Sequence, residues 1–443
     1  MIESSAFGTL KAKYLTFGCK LNFAETSSIA SVLEQRGISS ASEEENPDII
    51  IVNTCSVTSV ADRKCRQAIR TLGRRYPQAA IFVTGCYAQL KPDEVSKIPG
   101  VQMVIGNDRK SELPDLLDAW RKHGSKAISI KKASEFTKFE HSCSRGNRTR
   151  YFLKVQDGCN YFCSYCTIPF ARGRSRSPQI SELIDYAGKT VEAGGKEIVL
   201  TGVNIGDFGR NHKETFLDLL KELEKVDGIL RYRISSIEPN LLTDEILEFV
   251  AKSEKFMPHF HIPLQSGDDE VLELMRRHYD TVLFRDKIER IRSLIPDAFI
   301  GVDLITGMRG ETPERFENSY RFIESLDITR LHVFSYSERE GTAALEITPI
   351  VSQEEKKERT RRMIDLSERK EKKFSERFIG TCRPVLFETY DPKMKVLTGH
   401  TDNYIKVAVT HGTDRLINNI IDIRLGESHR DKFGDLYSYG EIL

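Results

Sequence analysis

No stretch of this 443-residue chain is apolar for long enough to cross a bilayer. The opening residues, MIESSAFGTLKAKYLTFGC, hold no apolar core of signal-peptide length. Both absences point to a protein that stays in the cytoplasm. An excess of either charge is missing too: Lys+Arg is 66 and Asp+Glu is 65. Net charge therefore selects no partner, and any nucleic-acid surface has to be a local patch. With 39% hydrophobic and 30% charged residues, the composition excludes global disorder. The length suits about two to four domains.

Cysteine is where the chain is rich, with nine. In a reducing compartment these argue for metal ligation or catalysis rather than disulfides. The sharpest signal is Val155-Gln-Asp-Gly-Cys159-Asn-Tyr-Phe-Cys163-Ser-Tyr-Cys166, a C-x3-C-x2-C loop placed directly after a strand. Three soft thiolates this close can hold three irons of a [4Fe–4S] cluster and leave the fourth iron open. The competing reading is a zinc knuckle. A closed zinc site needs a fourth Cys or His, and the sequence places none nearby, since His141 lies beyond a predicted strand.

Residues 11–106 alternate strand and helix signals: strands at Lys13–Phe17, Asp48–Asn53, Ala80–Thr84 and Val101–Ile105, and helices over Phe23–Gln35 and Val60–Tyr76. That alternation predicts a parallel sheet. Cys19, Cys55 and Cys86 each follow one of those strands, separated by about one βα repeat. Sites in such sheets form beyond the carboxyl ends of the strands, so these thiols are expected to gather at one edge. Each alone would read as a buried small hydrophobe, but three at equivalent strand ends do not. Cys65, Cys143 and Cys382 lack that setting.

Residues 126–144 are expected to be a linker. A second series follows, with strands at Tyr151–Val155, Glu197–Thr201, Tyr232–Ser236, His259–Pro263, Phe299–Ile305 and Leu331–Ser335, implying a partial (βα)6 barrel. Residues 353–377 are densely charged and read as a solvent-facing helix. The last segment is rich in Val, Ile, Thr, Tyr and turn residues and reads as a small antiparallel β-barrel. The fold class is thus α/β: a parallel-sheet domain at 11–125, the linker at 126–144, a barrel domain at 145–375 and a β-barrel at 380–443.

Between Arg145 and Arg176, the basic residues Arg145, Arg148, Arg150, Lys154, Arg172, Arg174 and Arg176 stand against one acid, Asp157. Placed beside the cysteine loop, Arg172, Arg174 and Arg176 suit phosphate contacts of an RNA whose reactive base is splayed out. The competing reading is a charged rim that binds nothing. In the last segment Tyr404 and Lys406 offer a stacking face and a charge, or simply form a hairpin.

The cysteine loop resembles that of the radical S-adenosylmethionine (SAM) superfamily. The whole chain, from about residue 11, resembles the methylthiotransferase family. The resemblance rests on GCKLNFAET at Cys19, NTCSVT at Cys55, GCYAQ at Cys86 and QDGCNYFCSYCTIPFARGRSRS at the loop, with LTGVNIGDFG, ISSIEP and HIPLQSG in support. It implies two [4Fe–4S] clusters, one on Cys159, Cys163 and Cys166 and an auxiliary one on Cys19, Cys55 and Cys86. It implies SAM at the open iron of the first, Tyr165 beside its adenine, and a TRAM-like C-terminal module. Thr201, Gly202, Ser235, Ser236 and Gln265 are strand-end candidates for further SAM contacts. GCKLN followed by ET, together with NTCSVT, favours the branch that modifies N6-threonylcarbamoyladenosine in the tRNA anticodon loop. A ribosomal-protein aspartate, isopentenyladenosine, or a non-catalytic RNA-binding redox sensor are the other readings. A flavodoxin or ferredoxin as electron donor and a monomeric state are expected. One stretch departs from the family pattern: Gly307-Met-Arg-Gly-Glu311 has Arg309 where proline is usual.

Overall fold

The computed structural model describes residues 10–144, 149–410 and 412–443. Arg145 and Arg148 lie outside the described residues. The first unit is a six-stranded parallel sheet. In spatial order its strands are Ser39–Ser40, Lys11–Thr16, Ile49–Thr54, Ala80–Gly85, Val101–Ile105 and Ala127–Ser129. The central strands Ile49–Thr54 and Ala80–Gly85 are buried along their whole length, as expected of a sheet covered by helices on both faces. Lys11–Thr16, Ile49–Thr54 and Ala80–Gly85 are direct neighbours. The residues that follow them therefore emerge side by side.

The stretch expected as a linker is corrected in part. Ala127–Ser129 pairs with Met103–Ile105 and closes one edge of this sheet. Farther on, Lys154 N–H donates to Ser142 C=O at 2.9 Å and Ser144 N–H to Phe152 C=O at 3.0 Å. These residues cover the edge of the next sheet, where bare backbone groups would otherwise remain unpaired.

The second unit is an open barrel of six parallel strands. Arg150–Lys154, Glu197–Thr201 and Arg231–Ile234 form one half, and His259–Gln265, Phe299–Thr306 and Arg330–Ser335 the other. A parallel bridge between Ser236 and His261 joins the halves. The helix Gln353–Glu376 is not the solvent-facing rod its charges suggest. Its buried stripe includes Met363, Leu366 and Phe374. Ser367 accepts from Leu331 N–H at 2.8 Å and donates to Leu331 C=O at 3.1 Å, which satisfies the barrel's last edge strand.

The third unit, from Cys382 onward, is a closed five-stranded barrel. Four of its pairings are antiparallel and one, Lys406–Thr410 with Leu436–Ile442, is parallel. It docks on the parallel barrel through arginines. Arg233 is fully buried and donates to Glu197 and to the carbonyls of Thr401 and Asp402, each at 2.8 Å. Arg150 donates to the Tyr404 hydroxyl at 3.0 Å. No described helix is long and apolar enough to cross a membrane.

One buried ionic network joins the first unit to the second. Glu25 and Lys110 come from the parallel-sheet unit; Lys154, Asp157, Arg172 and Arg176 come from the barrel. Arg172 bridges Glu25 at 2.8 Å and Asp157 at 3.0 Å. Lys154 bridges Glu25 at 3.1 Å and Asp157 at 2.8 Å. Lys110 also pairs with Glu25, and Arg176 lies 3.2 Å from Asp157. Burial alone would raise both acids. The charges of Arg172, Lys110 and Lys154 outweigh it at Glu25, and those of Lys154, Arg172 and Arg176 at Asp157, so both carboxyls are held well below their usual range.

Glu25→Ala should lower folding stability by about 3–5 kcal/mol, because it strands buried cations. Urea unfolding at neutral pH measures this. With folded pKa values depressed, the contribution of these acids is complete above their unfolded values of about 4 and disappears as pH falls through the folded ones. Acid should therefore destabilise the wild type more steeply than Glu25→Gln.

Candidate functional site

The helix Lys20–Gln35 begins immediately after Cys19, and its first turns explain the GCKLNFAET motif. Asn22 donates through Nδ2 to the carbonyls of Phe17 (2.7 Å) and Thr54 (3.1 Å), tying the turn at Cys19 to the strand that ends at Cys55. Its Oδ1 accepts from Arg172 at 2.7 Å. Asn53, from the NTC motif, donates back to Asn22 C=O at 3.0 Å. Gly18 has φ +100, and a Cβ there would stand 2.9 Å from Cys55 Cβ and 3.0 Å from its sulfur. Glycine is what lets the two cysteine turns approach.

Cys19 is exposed, whereas Cys55 and Cys86 are buried. Burial pushes the Cys55 thiol up to about 12, and Cys86 and Cys19 add to the shift. Burial also raises Cys86, while the nearby Arg172 and Lys110 charges oppose it. Two buried sulfurs whose ionisation is opposed by burial and by neighbouring sulfurs, with cations behind them, fit an iron–sulfur cluster together with Cys19, since positive irons reverse that penalty. Among the described residues, no three His, Cys, Asp or Glu side chains form a group that could hold a single metal ion. A four-iron cube spaces its ligands more widely than a lone zinc does.

The second trio lies on the loop after Arg150–Lys154. Gln156, completely buried, organises this loop. Its Nε2 donates to Gly158 C=O at 2.7 Å, Asp157 C=O at 3.1 Å and Ser175 Oγ at 3.0 Å. Its Oε1 accepts from Val203 N–H at 3.0 Å and Asn204 N–H at 2.8 Å. Cys159 N–H donates to Gly173 C=O at 3.0 Å. Arg277 donates to Cys163 Sγ at 2.9 Å and contacts Glu238 with its other Nη. Burial raises the Cys163 thiol, and Arg277 acts against that rise. Cys159 and Cys166 are both pushed up to about 12, chiefly by burial, and each is affected by Cys163. This trio too fits a cluster held by three sulfurs.

One cysteine of each trio faces a cavity of about 600 Å3, bounded by Cys19 and Thr58 from the first unit and by Tyr165, Cys166, Gln265 and Asp303 from the barrel. Gln265 holds φ +68, a conformation non-glycine residues rarely adopt, at the cavity wall. Of the other expected SAM contacts, Thr201, Gly202, Ser235 and Ser236 lie on the opposite half of the barrel and do not line this cavity. Ser235 Oγ is buried without a hydrogen-bond partner among the described residues, which leaves it available to a ligand.

The expected RNA contacts need correction. Arg172 is 2% exposed and Arg176 5%, both held in the ionic joint. Only Arg174 of the run is exposed, stacked over Phe162. Tyr404 turns toward the lumen: its ring packs against His259 and His400, and its hydroxyl accepts from Arg150. Lys406 is half-buried and donates to Asp435 at 2.7 Å. Arg309, at the position usual for proline, contacts Glu338 and the Leu345 carbonyl. Gln156, Arg277, Glu238 and Asn22 carry site geometry that spacing did not assign. Gln156, Glu238 and Asn22 fall inside quoted motifs, but a motif does not say which side chain turns inward.

Comparison with known proteins agrees with this geometry. A model described as "Radical SAM superfamily" matches residues 153–323, and one described as "Uncharacterized protein family UPF0004" matches 11–106. The solved radical SAM methyltransferase TsrM of Kitasatospora setae, with tryptophan and a SAM analogue bound, superposes with a TM-score of 0.56 at 16% identity over 73% of each chain. That likeness concerns the fold alone. Fold, loop and model match define a radical SAM protein. The threonylcarbamoyladenosine tRNA methylthiotransferase MtaB of Bacillus subtilis is 39% identical, covering 93% of this chain and 92% of its own. The tRNA-2-methylthio-N(6)-dimethylallyladenosine synthase of Protochlamydia amoebophila is 30% identical, covering 95% of each. The chain belongs to the radical SAM methylthiotransferase family.

Gly158 has φ +73, and a Cβ there would run into the Arg174 carbonyl. Gly158→Ala should distort the loop at Cys159 at a cost of about 2 kcal/mol or more and remove iron from that trio. Gly188→Ala, at a position with open space around it, should not. Iron content and circular dichroism of the two variants side by side check this.

Proposed function

We propose that this protein transfers a methylthio group to carbon 2 of N6-threonylcarbamoyladenosine in the anticodon loop of tRNA, with SAM as both methyl donor and radical source. The observation that carries the reading is the shared cavity, which both Cys19 of one trio and Cys166 of the other line. Identity of 39% over nearly the whole of a relative named for that nucleoside supports the substrate. Cys159, Cys163 and Cys166 would hold one [4Fe–4S] cluster and Cys19, Cys55 and Cys86 the other. When bound, the first with SAM supplies one-electron cleavage to a carbon radical, and the second supplies the sulfur position.

The chain's own residues do the positioning. Arg277 donates a charge-assisted hydrogen bond to Cys163 Sγ, which favours the thiolate as ligand. The ionic joint holds the two cysteine trios at a set separation. Val57, Ile168, Ile305 and Phe334 give the cavity apolar walls. Tyr165 stands beside Cys166, where the adenine of SAM would stack. A small one-electron donor of the flavodoxin or ferredoxin class supplies the reducing equivalent.

Nucleoside mass spectrometry of tRNA from cells lacking this protein tests the reading. The 2-methylthio derivative of N6-threonylcarbamoyladenosine should disappear and the unthiolated nucleoside accumulate. Loss of the methylthio dimethylallyl nucleoside instead would overturn it.

A further inference from the structure

Beneath the cavity shared by Cys19 and Cys166, the barrel lumen holds a second chamber of about 290 Å3, lined among others by Lys20, His261, Arg330, His332 and Tyr404. The two spaces meet at a hydrogen-bonded pair, His261 Nε2 to Asp303 Oδ1 at 2.7 Å. Asp303 faces the upper cavity and His261 the lower chamber.

The charges lining this chamber have contacting partners except at one place. Arg330 pairs with Glu371 at 2.9 Å, and Lys406 with Asp435 at 2.7 Å. Asp303 is taken by His261. Burial pushes the His332 imidazole down to about 4 and holds His259 well below its usual range, so both are neutral near pH 7. Lys20 is half-buried and has no ion pair or hydrogen bond of its side chain with any described residue. It directly follows Cys19, which faces the upper cavity. An ammonium with no contacting partner, its charge felt by Asp303 and Tyr404 only at a distance, thus stands in the lumen one residue from a proposed sulfur-presenting ligand.

We propose that Lys20 binds the free carboxylate of the threonylcarbamoyl substituent and thereby selects an adenosine whose N6 group is anionic. This rests on the function proposed above. In an N6-substituted adenine, carbon 2 and the N6 atom flank N1 on the same edge of the ring. A base that presents carbon 2 at Cys19 carries its N6 substituent alongside, within reach of the lumen. A carboxylate there gives Lys20 a charge-assisted partner. A neutral alkyl group would instead leave the ammonium desolvated and unpaired. Lys20 is a specificity residue in this scheme and takes no part in bond making.

The test uses full-length, anaerobically reconstituted enzyme and an anticodon stem–loop RNA carrying N6-threonylcarbamoyladenosine, either as the free acid or as its methyl ester. Wild type should use the ester with kcat/KM lower by roughly ten- to a hundredfold, mostly through KM, as expected for one charge-assisted hydrogen bond. Lys20→Gln should shrink that preference to about threefold or less by raising KM for the acid, while Lys20→Arg keeps most of it. Equal use of acid and ester by wild type overturns the inference, and so does an undiminished preference in Lys20→Gln. An equal loss on both RNAs assigns Lys20 to phosphate binding or to structure and also overturns it. If Lys20→Gln fails to load iron, the acid-to-ester ratio in wild type and Lys20→Arg still decides. If wild type makes no methylthio product on the acid RNA, the proposed function falls, and this inference falls with it.

Discussion

Arg172 reaches from the loop behind one cysteine trio to Glu25 and Asn22 behind the other, and the geometry of the site depends on that contact. Two acids and four bases share the joint, none of them reached by solvent to any extent. A network of this kind contributes little as net stability, because desolvation offsets most of the Coulomb gain. Its value lies in specificity. Apolar surfaces would allow the parallel sheet to slide on the barrel. A guanidinium that must meet Glu25, Asp157 and Asn22 at once fixes one arrangement. Asn107 adds a neutral tie, donating to Ala171 C=O at 2.8 Å on the same loop.

The joint also sets the electrostatics of the sulfur sites. The surplus of cations over acids lies toward Cys86, where Arg172 and Lys110 act against the effect of burial. Arg277 does the same work at Cys163 from the other side of the cavity. Each trio therefore has a built-in cation that favours thiolate in a place too dry to favour it unaided. The cavity between them is walled largely by apolar side chains, so these charges are screened less than they would be in bulk water.

The architecture was legible because its signals are local. Apolar runs such as Ile49–Val52, set between helix signals, read as central parallel strands, and cysteines one βα repeat apart then gather at the carboxyl ends of those strands. The barrel strands follow the same logic. What failed to be legible was the direction side chains take when two units pack. Arg172, Arg174 and Arg176 alternate, so one face holds the first and last and the other holds Arg174. The pattern does not say which face is buried, and the buried one carries the pair read as phosphate contacts. The helix Gln353–Glu376 misled for a related reason: its charges are dense, yet Lys356 and Arg359 lay their stems inward and find partners such as Glu311. Tyr404 is polar enough for an RNA surface, but its positive φ turns the ring into the joint between the barrels.

The central claim is that two three-cysteine sites each hold a cluster on either side of one cavity. Iron counting on anaerobically reconstituted protein tests it most directly. The account predicts about eight irons per chain in the wild type. It predicts about four when Cys19, Cys55 and Cys86 are all changed to Ala, and about four when Cys159, Cys163 and Cys166 are changed instead. A wild type that holds only about four irons, or a full load surviving either triple substitution, would contradict it.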